Sequence, residues 1–416
     1  MPTSWERLLP HACWRAFRPA PPAGLAAPDL EAVDGALEGF FEAVVADGTR
    51  RVLVAVNDAD RATDTEPMLA QALAARDRVA RDVRFDVLVA GGSHPLPPPA
   101  ARAAHEERAL GIGRDRVGSV AWHGGNVPPE TLVPLGAAGP EGAAPHVHRA
   151  LAEARAVLAL GSVEPHYFAG LTGAHKTATI GALSRRDIAR NHSHALSQRA
   201  RALALDGNPV FDGIAVLARA VEAGSRRLLC VNQVLCGGRE VARAAGSWRG
   251  SLDAVAPVCR ASYALHLLAP ADLVVARVEG PLAATLYQAD KGFHNTGPAV
   301  RDGGAIVVEA PCDQGLGPSR FIEMLRAAPT LEDALARLEA GGYRLGDHKA
   351  VRLRCLAARG VRVAVVASRD LGDPVPGLPI ARSREAGLAA VGIDAGTFAG
   401  SALLVEDAGC AVATAG

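Results

Sequence analysis

Short apolar runs alternate with segments of helical period along most of the chain. The runs Arg51-Val-Leu-Val-Ala-Val-Asn57, Phe85-Asp-Val-Leu-Val-Ala90, Gly118-Ser-Val-Ala-Trp122 and Ala156-Val-Leu-Ala-Leu160 read as buried strands. Helical patterns over 66–80 and 101–110 fall between them. After Cys259 a second series begins, with strands at 272–276, 304–309 and 361–366 and helices over 320–327, 331–340 and 349–358. Near-continuous apolar strands separated by helices predict an α/β fold with mainly parallel sheets. A boundary near Ser262 divides the chain into an N-terminal α/β domain, 1–262, and a C-terminal α/β domain, 263–416. The stretch from Gly124 to Pro145, rich in Gly, Pro and Ala, reads as a surface excursion. No repeat of solenoid period is visible.

Composition narrows the classes of function. A length of 416 residues suits two or three domains, and 49% hydrophobic with 21% charged residues is globular composition rather than disorder. Lys plus Arg and Asp plus Glu are both 44, so no basic excess argues for a nucleic-acid partner. No run reaches the ~18 to 20 apolar residues of a membrane span. The segment Met1 to Arg18 is interrupted by Glu6, Arg7, His11 and Arg15, unlike a signal peptide. The seven cysteines are scattered without a C-x-x-C pair, against a zinc ribbon, an iron–sulfur cluster or a disulfide scaffold. The expectation is a soluble cytoplasmic protein with no membrane or nucleic-acid partner.

Chemistry-bearing residues collect where parallel sheets place their sites, beyond the carboxyl ends of strands. Asp58 and Arg61 follow the first strand, His94 the second, and His166 the strand ending at Leu160. The densest segment runs from Glu164 through Gly170, Gly173 and Lys176 to Asn191-His192-Ser-His194. It misses the spacing of a phosphate-binding P-loop, because Ala174-His175 separate the last glycine from Lys176. A mobile glycine loop with a solvated lysine is the plain alternative. Four histidines at 166, 175, 192 and 194 favour a metal or acid/base site instead. In Tyr287-Gln288-Ala-Asp-Lys291, Gln288 and Lys291 share a helix face, either to hold a carboxylate or as ordinary helix surface. For Asp58 and Arg61, a local ion pair is the default.

Taken together, Asp58-x-x-Arg61, Gly92-Ser-His94, Pro165-His166, Ala169-Gly170, Lys176, Asn191-His192 and Tyr287-Gln288-x-x-Lys291 resemble the nickel-dependent lactate racemase family. A weaker echo lies at Gly346-Asp-His-Lys-Ala350. The resemblance implies two α/β domains with the active site in the cleft between them. It implies a nickel–pincer nucleotide, a pyridinium mononucleotide that holds nickel through two sulfurs and a ring carbon. Lys176 would carry it covalently, and His192 would be the remaining nickel ligand, a sensible soft-donor and imidazole set. His94 and His166 would be the acid/base pair. Arg61, Gln288 and Lys291 would bind substrate, with Asp58 orienting Arg61. Cofactor-making enzymes would be partners, and the reaction would be racemisation or epimerisation of a 2-hydroxy acid through its 2-keto acid.

The chain departs from the family pattern at Thr172-Gly-Ala174, at Ile180, at His175 beside the tether lysine, and at His348 where lactate-specific members carry Trp. These departures lead to an expectation of a substrate with a second polar group rather than lactate. A Schiff-base or pyridoxal-phosphate enzyme built on Lys176 leaves His192 and the strand-end histidines unexplained. A non-catalytic sensor of the nucleotide or of a hydroxy acid needs neither base.

Overall fold

The computed structural model describes residues 4–136, 142–223, 226–372 and 375–415. Residues 1–3 of the N-terminal stretch and 137–141 of the Gly- and Pro-rich excursion lie outside the described residues. Contacts divide the chain into two units, Pro21–Ser262 and Met1–Ala20 with Tyr263–Gly416.

The unit Pro21–Ser262 is built on a six-stranded sheet. Its order is Arg239–Gly246, Arg227–Cys236, Ala156–Ser162, Arg51–Asn57, Arg84–Ala90, Val117–His123. All neighbours pair in parallel except the hairpin formed by the first two. The central strands are apolar on both faces, as buried parallel strands must be. Val52, Val54, Val56, Phe85, Val87, Leu158 and Leu160 share one core with Phe41, Met68 and Leu73 from the helices Leu30–Ala46 and Thr65–Val79. The Phe41 and Phe85 rings stack with centroids 5.6 Å apart. Asp29 starts the first of these helices by accepting the Ala32 N–H on its side chain. Within and just after the excursion, Leu132–Pro134 pairs antiparallel with His146–His148.

The second unit holds another six-stranded sheet, wholly parallel, in the order Cys13–Phe17, Ser401–Val405, Ala271–Arg277, Val300–Glu309, Arg362–Val366, Ile380–Ala381. Here the structure departs from the division 1–262 and 263–416. Cys13–Phe17 runs beside Ser401–Val405, and Trp5 and Leu9 are buried with Leu273, Val307 and Leu404. The Trp5 indole N–H also donates to Glu309 Oε2 at 2.9 Å. Period-2 patterning marks a strand but says nothing about which sheet it joins. Among the described residues no helix is long and apolar enough to cross a membrane, and all seven cysteines are free thiols.

Two histidines are part of the packing of the unit Pro21–Ser262. His123 donates from Nε2 to Leu183 O at 3.0 Å, while its Nδ1 has no partner among the described residues. His175 is fully buried beside Phe211 and Trp248, and neither ring nitrogen has a hydrogen-bond partner among the described residues. Burial pushes His123 down to about 4, helped by His148 and opposed by the Leu183 bond. Burial, with the charges of Lys176 and Arg249, pushes His175 down to about 3. Both are therefore neutral in the folded chain at pH 6. Below the ordinary histidine value near 6.5 the unfolded chain takes up protons that the folded chain refuses. Stability from this source is thus lost as pH falls, by about 3 kcal/mol per pH unit for two protons. Urea unfolding of the cofactor-free protein at pH 6, 5 and 4 reads this slope. His175→Leu should lower it by about one proton, or ~1.4 kcal/mol per unit. An unchanged slope would mean that His175 protonates inside the folded chain.

Candidate functional site

Arg51–Asn57 lies between Arg84–Ala90 and Ala156–Ser162, and the three run in the same direction. Their carboxyl ends therefore deliver Asp58, His94 and His166 to one edge of one sheet. The turn after Arg84–Ala90 is pinned through its backbone. Gly91 N–H donates to His123 O at 3.0 Å, Gly92 N–H to Gly181 O at 2.9 Å, and His94 N–H to Gly91 O at 3.0 Å.

Asp58 is buried, and its Oδ2 meets His94 Nδ1 at 2.7 Å. Asp60 Oδ2 lies 3.1 Å from the same nitrogen. Burial pushes the Asp58 carboxyl up, but the charge and hydrogen bond of His94, with Arg61, hold it below the usual carboxylate range. Burial likewise pushes His94 down, and the Asp58 carboxylate outweighs it, leaving His94 above its ordinary value. Nδ1–H thus donates to the carboxylate and Nε2 carries the lone pair in the neutral ring. Arg61 bonds to Asp58 through its backbone N–H, at 3.3 Å from Asp58 O, and its guanidinium acts on the carboxylate through charge. Asp58, Asp60 and His94 are also the one group among the described residues whose ligand atoms are close enough to share a metal ion. Their spacing of 2.7 and 3.1 Å is equally that of hydrogen bonds, which account for it without an ion.

His166 sits on a two-residue strand, Pro165–His166, paired with Gly170–Leu171. Thr172 closes this turn, its hydroxyl donating to Ser162 O and accepting the Glu164 N–H, both at 2.8 Å. A serine would supply the same hydroxyl, so Thr172 leaves the turn's bonding unchanged. The Ala169 N–H donates to His166 Nδ1 at 3.3 Å. Nδ1 is then the acceptor, and the neutral ring bears its proton on Nε2. The two strand-end histidines are held in opposite tautomers.

Lys176 stands on the short helix Ala174–Thr177, buried at 9% exposure. The turn before it requires glycine, because Gly173 has φ +145° and a Cβ there would lie 2.8 Å from Asn232 Oδ1. Ala174 itself has no positive φ, so its methyl strains nothing. Asn232 Oδ1 accepts the Ala174 N–H at 2.8 Å, and its amide donates to Ser251 Oγ at 2.9 Å. His192, on the helix Arg185–Ser193, pairs its Nδ1 with Asn191 Oδ1 at 3.2 Å. The Asn191 amide is oriented by its N–H bond to Val210 O at 3.0 Å, so His192 donates from Nδ1 and keeps a lone pair on Nε2. Burial, with the charge of Lys176, holds His192 down at about 3. Phe168 lies edge-on to both His166 and His192, with centroids 4.5 and 5.0 Å away. One unit thus gathers Asp58, Arg61, His94, His166, Lys176 and His192.

Sequence reasoning missed Asn232, Asp60 and Phe168. Asn232 had a signal: with Gln233 it puts two fully buried amides inside the apolar run Arg227–Cys236. Gln288 and Lys291 lie in the second unit, on the short helices Leu286–Ala289 and Lys291–Thr296. Asp290 between them keeps right-handed helical dihedrals, so the shared face survives the break. His348 is buried at 1% exposure, with Nδ1 2.7 Å from the Tyr343 hydroxyl. Burial raises the pKa of that Tyr343 hydroxyl.

Residues 30–203 match the family described as lactate racemase N-terminal domain, and 268–343 match the lactate racemase C-terminal domain. A lactate racemase of Thermoanaerobacterium thermosaccharolyticum is 25% identical over 49% of this chain and 47% of its own length. One from Lactiplantibacillus plantarum is 28% identical over 59% of this chain and 57% of its own. The matched region spans about half the length of these relatives. The lactate racemase apoprotein structure from T. thermosaccharolyticum superposes with a TM-score of 0.77 at 19% identity, covering 94% of each chain. A Thermotoga maritima protein superposes at 0.64 and 16% identity, covering 92% of this chain and 98% of its own. The fold is shared with both, and with both family domains matched in order, this chain belongs to the lactate racemase family.

Proposed function

We propose that this chain is an isomerase that racemises or epimerises a 2-hydroxy acid with a nickel–pincer nucleotide attached at Lys176. The observation that carries the reading is the pair of strand-end histidines held in opposite tautomers within the unit that also holds Lys176 and His192. The residues suit the group. Lys176 offers an amine in a turn packed too closely for a side chain at Gly173. His192 is neutral, and the Asn191 bond to Nδ1 leaves the lone pair on Nε2. Four-coordinate nickel would take that imidazole beside two sulfurs and a carbon. When bound, the nucleotide supplies an acceptor and donor of hydride at the carbinol carbon.

The chain's residues handle the proton. Deprotonating the carbinol carbon directly is unfavourable, whereas removing hydride makes its hydroxyl proton acidic. His94 Nε2 is set to take that proton, and Asp58 stabilises the imidazolium that results. His166 would give its Nε2 proton to the keto oxygen, when hydride returns to the opposite face, from the imidazolium form, in which Nδ1–H has displaced the bond from the Ala169 N–H. The reverse reaction exchanges the two roles. Arg61, Gln288 and Lys291 are assigned to the substrate carboxylate, as charged and neutral donors. A Lys176 Schiff-base enzyme would leave His192 and the strand-end histidines without a role, and a non-catalytic sensor would need neither base.

His94→Ala and His166→Ala should each lower turnover by roughly 10²–10⁴ in chiral product analysis. Metal analysis and peptide mapping should still find nickel and the adduct on Lys176. Wild-type turnover in either variant removes the two-base scheme, and an unmodified Lys176 in active enzyme removes the tether. Asp58→Asn takes away the charge that raises His94, so His94 becomes a base at lower pH. The acid limb of kcat/KM should move down in pH while kcat falls; an unmoved limb would mean that His94 is not the base. For the substrate, the departures from the family pattern, His348 in place of an indole among them, favour a 2-hydroxy acid with a second polar group, such as a dicarboxylate or sugar acid. A pocket donor discriminates strongly against substrates lacking its partner. A panel of enantiopure 2-hydroxy acids decides this, and highest kcat/KM for lactate would refute the preference alone.

A further inference from the structure

Lysine occurs at only three positions, 176, 291 and 349, against 41 arginines. All three are buried, with 9%, 7% and 2% exposure. A chain that meets nearly every other need for a cation with arginine keeps lysine where the compact ammonium itself is wanted. The scheme above uses Lys176 and Lys291, which leaves Lys349.

Lys349 lies on the helix Asp347–Ala358. Its Nζ donates to Asp290 Oδ2 at 3.1 Å and stands 4.4 Å from the centre of the Tyr287 ring. His294 Nε2 donates to the same Asp290 oxygen at 2.8 Å, while Asp290 Oδ1 has no partner among the described residues. Burial pushes Asp290 up, and His294 with Lys349 holds it below the usual carboxylate range. Burial pushes both His294 and Lys349 below their ordinary values, and the Asp290 carboxylate opposes it at each.

Tyr287 and Asp290 bracket Gln288, and Asp290 precedes Lys291. The helices carrying these residues have 4 and 6 residues, far too short to hold their own shape. Thr285 caps the first by accepting the Gln288 N–H, and the Asn295 amide ties the second to Ala408 O and Gly409 O. Beside the His294 bond and the Tyr287 N–H bond to Leu316 O at 3.1 Å, Lys349 is the cation at the joint between them, where one ammonium meets both Tyr287 and Asp290. We infer that Lys349 is a positioning residue that fixes the Tyr287–Lys291 turn, so that Gln288 and Lys291 meet a substrate carboxylate in register. This inference rests on the 2-hydroxy-acid reading.

With three lysines, acetylation by an activated ester followed by peptide mapping reads each amine separately in the full chain. Racemic lactate and racemic malate serve as probes, and the measured quantity is the concentration that half-protects Lys291. Lys349→Met should raise it at least tenfold, and in the loaded enzyme should raise KM far more than it lowers kcat. Lys349→Met with Asp290→Asn removes the buried unbalanced carboxylate, so the double variant keeps its thermal midpoint within a few degrees. It should remain at least tenfold impaired, because the ammonium that spans Tyr287 and residue 290 is still missing. Half-protection within twofold of wild type in the double variant overturns the positioning role and leaves the substrate reading standing. Failure of both acids to protect Lys291 in the wild type overturns the substrate reading, and the role of Lys349 with it.

Discussion

Parallel pairing of Arg51–Asn57 with Arg84–Ala90 on one side and Ala156–Ser162 on the other sends three carboxyl ends to the same sheet edge. The register Asn57↔Ala90 then puts the residue after one strand close to the turn after its neighbour. Adjacent strands stand about 4.8 Å apart, a distance that side chains leaving neighbouring ends easily close. The bond from Asp58 to His94 follows from this direction and register. Parallel strands also demand long crossovers, which is why helices such as Thr65–Val79 cover the faces and leave the edge open.

On that edge, hydrogen bonds to ring nitrogens decide the chemistry more than proximity does. Asp58 takes Nδ1–H of His94, the Ala169 N–H occupies Nδ1 of His166, and Asn191 takes Nδ1–H of His192. Each partner selects which Nε2 is bare and which is protonated, so three rings of one kind acquire three roles. His175 has no such partner, and packs as an apolar ring against Phe211 and Trp248. Its charged form is excluded by burial, and it contributes bulk behind the Lys176 turn rather than proton chemistry.

Much of this was legible in the residues and some was not. The strands that carry Asp58, His94 and His166 announce themselves as apolar runs ending in polar or glycine-rich turns. The helix Leu30–Ala46 and the hairpin Arg227–Cys236 with Arg239–Gly246 were not picked out, although Asn232 and Gln233 marked the latter as unusual. The partner of Asp58 lies 36 residues away, so the nearer Arg61 was the natural candidate. Tautomers depend on single backbone N–H groups, such as that of Ala169, which no spacing encodes. The place of Cys13–Phe17 depends on a strand at the opposite end of the chain.

That last pairing has a consequence for synthesis. Residues 5–17 leave the ribosome early, yet the strand they join, Ser401–Val405, is translated nearly 400 residues later. At bacterial-type rates of about 5–20 residues per second, the early segment waits on the order of 20–80 s for its sheet. During that time Trp5, Leu9 and Trp14 have no core to enter, and Cys13–Phe17 is an unpaired edge. The charges on Arg15 and Arg18, in and beside that strand, oppose its pairing with another chain in the interval.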